Sequence, residues 1–267
     1  MEDLQGKVAV VTGGASGIGS GICRVIAREG LSVVVADLDL ERAGRLAGEL
    51  SGQGAKAVPA QVDVSEYASV EALAERALGE FGAVDLVCNN AGVYIGGPMD
   101  DLTPDDWRWV MSVNLDGVFY GCRVFSRILL EQGRGGHIVN TASVGGFLSH
   151  GEGAAYAVSK YGVVALSESL REQLKPHGIG VSALAPGPVR TALSDSDERR
   201  PEALADAGNK SAVLWEFIKH GIEPVEVGEL VLRGVRDNAA YIFTDPSFRK
   251  PFEERFVRIL NDFDRLD

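Results

Sequence analysis

The sequence predicts an α/β fold: a doubly wound, mainly parallel seven-stranded sheet with helices on both faces, in a single domain over residues 1–267. Three observations predict it. Short apolar runs suited to buried strands alternate with amphipathic stretches. The 33 glycines gather in short clusters between those runs, as in loops that approach a ligand closely, and form no linker. A chain of 267 residues with 45% hydrophobic and 24% charged content is long enough and apolar enough for one sizeable core.

The elements follow in order. Val8 to Thr12 is the first strand, and Ile18, Ile22, Val25 and Ile26 fall at i, i+4, i+7 and i+8, an amphipathic helix closed by Gly30. Ser32 to Asp37 completes a βαβ unit. A helix over Leu40 to Leu50, a strand over Ala55 to Gln61, a helix over Tyr67 to Phe81 and a strand over Val84 to Asn89 continue the alternation. Thr103-Pro104-Asp105-Asp106 opens a long helix, with a hydroxyl cap, proline at the first position and acid in the first turn. His137 to Thr141, a helix over Tyr156 to Leu174, and Val181 to Pro186 complete the regular part.

The rhythm then breaks. Residues 187–222 read as a substrate loop or lid, polar and charged over Ser194 to Gly208 and apolar again at Val213, Leu214 and Phe217. A helix over Val225 to Arg236 and a last strand over Tyr241 to Thr244 follow. Residues 245–267 read as a helical tail striped by Phe252, Phe256, Ile259, Leu260 and Phe263.

A net charge of −12 argues against a nucleic acid or an anionic membrane surface as partner, because both would be repelled on average. No apolar run reaches membrane-span length, Met1 to Lys7 show no basic region followed by an apolar core, and Cys23, Cys88 and Cys122 show neither disulfide nor metal spacing. The expectation is a cytoplasmic protein with buried thiols, no metal and a small-molecule partner.

Chemistry concentrates in two constellations. Thr12-Gly13-Gly14-Ala15-Ser16-Gly17-Ile18-Gly19 joins strand to helix, so backbone amides and the positive end of the helix dipole face an anion, as a pyrophosphate seat requires. Asp37, 18 residues after Gly19, sits where an acid accepts hydrogen bonds from a ribose and repels a 2′-phosphate, favouring NAD over NADP. Arg42 nearby could still reach a phosphate. Asp63 is a candidate for the adenine edge or for a helix entry, and Asn90-Ala91-Gly92 places small residues where a cofactor crosses the sheet.

The second constellation is Tyr156 and Lys160, one turn apart on one helix face, with Ser143 at the end of the preceding strand. A phenol of ordinary pKa about 10 is protonated at neutral pH. A neighbouring ammonium, joined by an oxidised nicotinamide, lowers that pKa and makes Tyr156 a general base for alcohol oxidation and a general acid for carbonyl reduction. Ser143 then donates to the substrate oxygen.

Together these motifs resemble the short-chain dehydrogenase/reductase family, in its single-domain branch, over Lys7 to Thr191. The resemblance implies a Rossmann-type fold and hydride transfer at nicotinamide. It implies cofactor contacts at Gly13, Gly17, Gly19, Asp63, Asn90, Ala91 and Gly92, and at Pro186, Gly187 and Thr191 around the nicotinamide, with Ser16, Ile18, Leu38, Val64 and Val189 as neighbours. Ser143, Tyr156 and Lys160 become the catalytic set, and Asn114 joins Lys160 in holding a water chain that relays the tyrosine proton. A homodimer or homotetramer is expected, the dimer being better supported because the chain lacks the Gly-rich final strand of many relatives.

Candidate substrate contacts come from position: Val93, Tyr94 and Ile95 after the fourth strand, Phe147, Leu148 and His150 between Ser143 and Tyr156, and Val189, Leu193, Trp215 and Phe217 in and before the lid. They are mostly apolar, which favours a hydrophobic alcohol or ketone over a sugar. The ending of the chain is similar to that of a subset of bacterial family members that oxidise bulky, apolar secondary alcohols, and this resemblance implies an aryl or terpenoid secondary alcohol. The expected activity is an NAD-dependent alcohol dehydrogenase. The alternatives are an NADPH-dependent ketoreductase of the same fold and a non-catalytic NAD-binding redox sensor.

Overall fold

The computed structural model describes residues 1, 4–149, 151–193, 196, 200 and 216–266. Seven strands form one sheet: β1 (Val8–Thr12), β2 (Ser32–Asp37), β3 (Ala57–Gln61), β4 (Leu86–Asn89), β5 (Gly136–Thr141), β6 (Ile179–Ala185) and β7 (Tyr241–Phe243). Their order is β3-β2-β1-β4-β5-β6-β7, and every pair is parallel. Parallel strands buried on both faces need apolar residues at every position, and β1 is buried throughout. Pro59 lacks a ladder donor and is found in β3, at the sheet's edge.

Alternation along the strands feeds two cores. Val10, Val34, Val87, Ile138 and Val181 point to one face, where α3 (Tyr67–Phe81), α5 (Gly117–Gln132) and α6 (Ala154–Leu174) cover them. Ala9, Val11, Val33, Val35, Leu86 and Val139 point to the other, under α1 (Gly17–Arg28), α2 (Leu40–Gly52) and α7 (Pro224–Arg236). Helices α1 and α7 touch so closely at Gly21 that a Cβ there would lie 2.0 Å from the Pro224 carbonyl oxygen.

The long helix expected after Thr103 is continuous but not uniform. α4 (Pro104–Met111) opens on a capping box, in which Thr103 Oγ1 accepts from Asp106 N at 3.0 Å and Asp106 Oδ2 from Thr103 N at 3.2 Å. It passes through a π-helical turn, Ser112–Asp116, before becoming α5. The C-terminal helix α8 (Arg249–Phe263) has no buried residue among those described and turns Phe256, Ile259, Leu260 and Phe263 outward. No helix among the described residues is long and apolar enough to cross a membrane.

The strand order reverses between β1 and β4, since β2 and β3 lie to one side and β5 to β7 to the other. A crevice opens at the carboxyl ends of the strands at such a switch point. All the chemistry described below collects there.

Candidate active site

A cavity of about 1120 Å³ runs along that crevice. At one end are Asp37, Leu38, Asp39 and Arg42; in the middle are Gly13, Ser16, Gly17 and Ile18; at the far end are Ser143, Tyr156 and Lys160. The glycine turn is shaped by close approach. Gly13 has φ +60°, and a Cβ there would lie 2.9 Å from Ala91 Cα; a Cβ on Gly17, at φ +48°, would press on the Thr191 methyl at 3.1 Å. Helix geometry leaves the first N–H groups of α1, at Gly17, Ile18 and Gly19, without intrahelical partners, and its positive end faces the cavity. Such a lining suits an extended ligand with phosphate in its middle and a diol at the Asp37 end.

Asp37 is held rigidly. Its Oδ2 accepts from Ala15 N at 3.0 Å and its Oδ1 from Asp39 N at 3.1 Å, tying the end of β2 to the glycine turn. Asn90 binds the adjoining edge: its Nδ2 donates to Thr12 O at 3.0 Å, and its Oδ1 accepts from Thr141 Oγ1 at 3.3 Å. Asp63 and Val64 line the cavity, but Asp63 Oδ1 also accepts from Ser65 N at 3.0 Å and Ser65 Oγ at 2.6 Å, the helix-entry role.

At the far end, Ser143 caps a short turn, Val144–Gly146, with Oγ accepting from Gly145 N at 3.0 Å. It also lies near enough to the Tyr156 phenol to interact with it by hydrogen bonding. Lys160 is 3% exposed, donates from Nζ to Thr141 O at 2.8 Å, and lies 5.6 Å from the Tyr156 ring centre. Burial pushes the Lys160 ammonium down to about 8. Burial also pushes the Tyr156 phenol up to about 12, against the lowering effect of Ser143 and with a smaller raising effect from Tyr94. With the protein's own groups alone desolvation outweighs the neighbouring charge, so the lowering expected of the ammonium and an oxidised nicotinamide acting together is not produced by the ammonium by itself. The phenol is therefore held in its protonated form at neutral pH by the protein's own groups.

Asn114 is fully buried and does not line the cavity. Its Oδ1 accepts from Val93 N at 2.8 Å, and its Nδ2 donates to Val93 O at 2.9 Å and to Ser159 Oγ at 3.2 Å. The π-helical turn carries it into that position, a usual setting for such turns. Its side chain thus fixes the segment after β4 against α6.

Val93, Tyr94, Leu148, Leu193 and Phe217, all expected from position in the sequence, line the cavity. The Tyr94 ring meets that of Tyr156 edge-on at 5.0 Å, and burial and the nearby Glu152 raise the Tyr94 phenol. Pro186, Gly187 and Thr191 line the cavity as well.

Several expected contacts fall elsewhere. Phe147 is turned away from the cavity by the Val144–Gly146 turn and packs on Tyr241, Phe243 and Phe252, with ring centres 5.0–5.7 Å away. Val189 is buried in the core beneath α7, bridged to Ile222, and Ile95 is buried with Val110 and Ala155. Gly19 does not face the cavity; it lets α1 rest on the turn, since a Cβ there would lie 2.1 Å from Gly13 O. His150, Trp215 and most of Ser194 to Gly208 lie outside the described residues.

Sequence reasoning missed Trp109 and Val113 from the long helix, Glu152, and Phe248 beyond β7, all of which line the cavity. The apolar spacing of the long helix was the only sign of the first two. Phe248 had none, because its approach to Gly187 is set by the chain turn after β7.

Comparison with known proteins gives concordant results. The family model described as short chain dehydrogenase matches residues 7–202. The chain is similar to a C alpha-dehydrogenase of Sphingobium sp. strain SYK-6, with 34% identity over 98% of this chain and 88% of that protein. It is also similar to a 3beta-hydroxysteroid dehydrogenase 2 of Eggerthella lenta, with 40% identity over 70% of this chain and 73% of that one. Among solved structures, a short chain dehydrogenase/reductase from Burkholderia phymatum in complex with NAD superposes with a TM-score of 0.94 and 37% identity, covering 98% of this chain and 97% of that one.

Proposed function

The chain belongs to the short-chain dehydrogenase family, and from that premise we propose that it is an NAD-dependent dehydrogenase of a bulky, apolar secondary alcohol. The observation that carries the reading is a single cavity joining Asp37 at one end to Ser143, Tyr156 and Lys160 at the other. The relative solved with NAD supports the choice of cofactor, and the relatives named as dehydrogenases, one of them of a 3beta-hydroxysteroid, support the reaction.

In this reading the glycine turn and the start of α1 hold the pyrophosphate, Asp37 accepts from the adenosine ribose, and Asn90 to Gly92 with Pro186, Gly187 and Thr191 flank the nicotinamide. The nicotinamide, when bound, supplies the hydride acceptor and a positive charge. Ser143 donates a hydrogen bond to the substrate oxygen, and Tyr156 takes the hydroxyl proton in oxidation or returns it in reduction. Lys160 keeps its ammonium beside the phenol through its bond to Thr141 and favours tyrosinate. Asn114 is a positioning residue that holds Val93, and with it the wall of the substrate pocket.

The pocket beyond Tyr156 is walled by Val93, Tyr94, Trp109, Val113 and Leu193, with Glu152 as its one carboxylate, so a sugar would find few partners for its several hydroxyls there. The test follows NADH absorbance with purified protein, NAD or NADP, and a panel of aryl, terpenoid, steroid and short aliphatic secondary alcohols. Turnover confined to NAD and the bulky apolar alcohols is expected. Preference for short or polyhydroxylated alcohols, or for NADP, contradicts the reading.

A further inference from the structure

Asp37 ends β2, Asp39 lies in the connection to α2, and the first turn of α2 carries Arg42; all three line the same end of the cavity. Among the described lining residues the cations are Arg42 and Lys160, and Lys160 lies at the other end beside Tyr156. Arg42 is therefore the cation placed to receive a phosphate on the adenosine ribose.

Asp39 engages it twice. Asp39 Oδ1 accepts from Arg42 N at 2.9 Å and caps α2, while Asp39 Oδ2 pairs with Arg42 Nε at 3.2 Å. The cap needs only a short polar side chain, for which serine or asparagine serves as well as aspartate. The ion pair adds little to stability, because its side chains are 55% and 47% exposed. The negative charge of Asp39 is thus surplus to folding. Its consequence is electrostatic: with Asp37 it leaves this end of the cavity net negative, and it occupies an edge of the guanidinium fork that would otherwise present paired donors to phosphate.

We propose that Asp39 is a second determinant of the choice between NAD and NADP, acting by holding Arg42 away from service to a 2′-phosphate. The inference rests on the NAD reading above and adds to it a residue that acts through another. Asp37 repels the phosphate directly; Asp39 withholds the cation that would accept it.

The test measures dissociation constants for NADH and NADPH, by nucleotide fluorescence on binding, for the wild-type protein, Asp39→Ser, and Asp39→Ser combined with Arg42→Ala. The wild type is expected to prefer NADH. Asp39→Ser is expected to shift the NADPH-to-NADH affinity ratio toward NADPH by about threefold, the scale set by removing the need to break an exposed ion pair, and Arg42→Ala on that background is expected to abolish the gain. Asp39→Asn, which also caps, must reproduce the shift. An unchanged ratio in either capped variant overturns the inference while leaving the NAD reading intact, and so does a gain that survives Arg42→Ala, since loss of charge alone would then explain it. A wild type that binds NADPH as tightly as NADH overturns the NAD reading, and this inference with it.

Discussion

The Lys160 ammonium is fastened to the Thr141 carbonyl at 2.8 Å, and this bond, made across the end of β5, keeps its charge 5.6 Å from the centre of the Tyr156 ring. A buried lysine would otherwise tend to shed its proton, and burial already draws this one down to about 8. Lys160→Met removes the charge while keeping the stem. We expect kcat to fall about 100-fold or more, the usual range for loss of an acid–base contribution, with the thermal midpoint little changed. A loss under threefold would separate the lysine from the proton transfer.

Tyr156 stands high, at about 12, with the protein's own groups alone. The difference absorbance between wild type and Tyr156→Phe is therefore expected to show no tyrosinate at pH 9 in cofactor-free protein. Addition of NAD brings positive charge beside the phenol and should make the signal appear at lower pH. A tyrosinate signal at pH 8 without cofactor would contradict the dominance of desolvation.

Gly19 was legible in the sequence as part of a cofactor turn, but its physical task is packing. With a Cβ only 2.1 Å from Gly13 O, Gly19→Ala must separate helix from turn. NADH binding should weaken at least about tenfold, together with a stability loss of about 2 kcal/mol of the kind overpacking produces. Unchanged binding in calorimetry would mean that the turn tolerates displacement.

Much of the fold could be read from the chain because local and global signals agree. The span of α3, Tyr67–Phe81, and those of β1 and β2 coincide with their apolar runs, and Thr103 opens α4 through the cap its sequence announces. The π-helical turn at Ser112–Asp116 could not be read, because it is stabilised by Asn114 bonding to Val93, a residue distant in sequence. The same limit explains the misplaced side chains. Phe147 and Leu148 are sequence neighbours, yet the turn after Ser143 sends Leu148 into the cavity and Phe147 onto β7 and α8. Nothing local distinguishes the two.

Asn114→Ala tests the positioning role. It leaves the buried Val93 N–H and carbonyl without partners, a loss of about 2 kcal/mol or more. Urea denaturation should record it, and KM for the alcohol should rise as the pocket wall loosens. An unchanged midpoint would show that other groups take over these bonds.

His137 gives the pH dependence of stability. Burial in β5 pushes it down to about 3, with its Nε2 2.8 Å from Ser182 Oγ. The unfolded chain binds the proton near pH 6.5 and the folded protein does not. Stability from this group is therefore complete above 6.5 and declines as pH falls toward 3, by up to about 1.4 kcal/mol per pH unit. Denaturation midpoints at pH 7, 6, 5 and 4 should follow that slope, and His137→Asn should flatten it. A slope identical in both proteins would assign the acid sensitivity to other groups.

The most direct measurement of the central claim is turnover and NADH affinity of Tyr156→Phe, measured side by side with wild type on an alcohol that the wild type oxidises. The account predicts a loss of at least about 100-fold in kcat, with the NADH dissociation constant within about threefold of wild type, since the ring and the glycine turn remain. A variant that keeps more than a tenth of wild-type turnover would contradict the assignment of Tyr156 as the group that moves the proton.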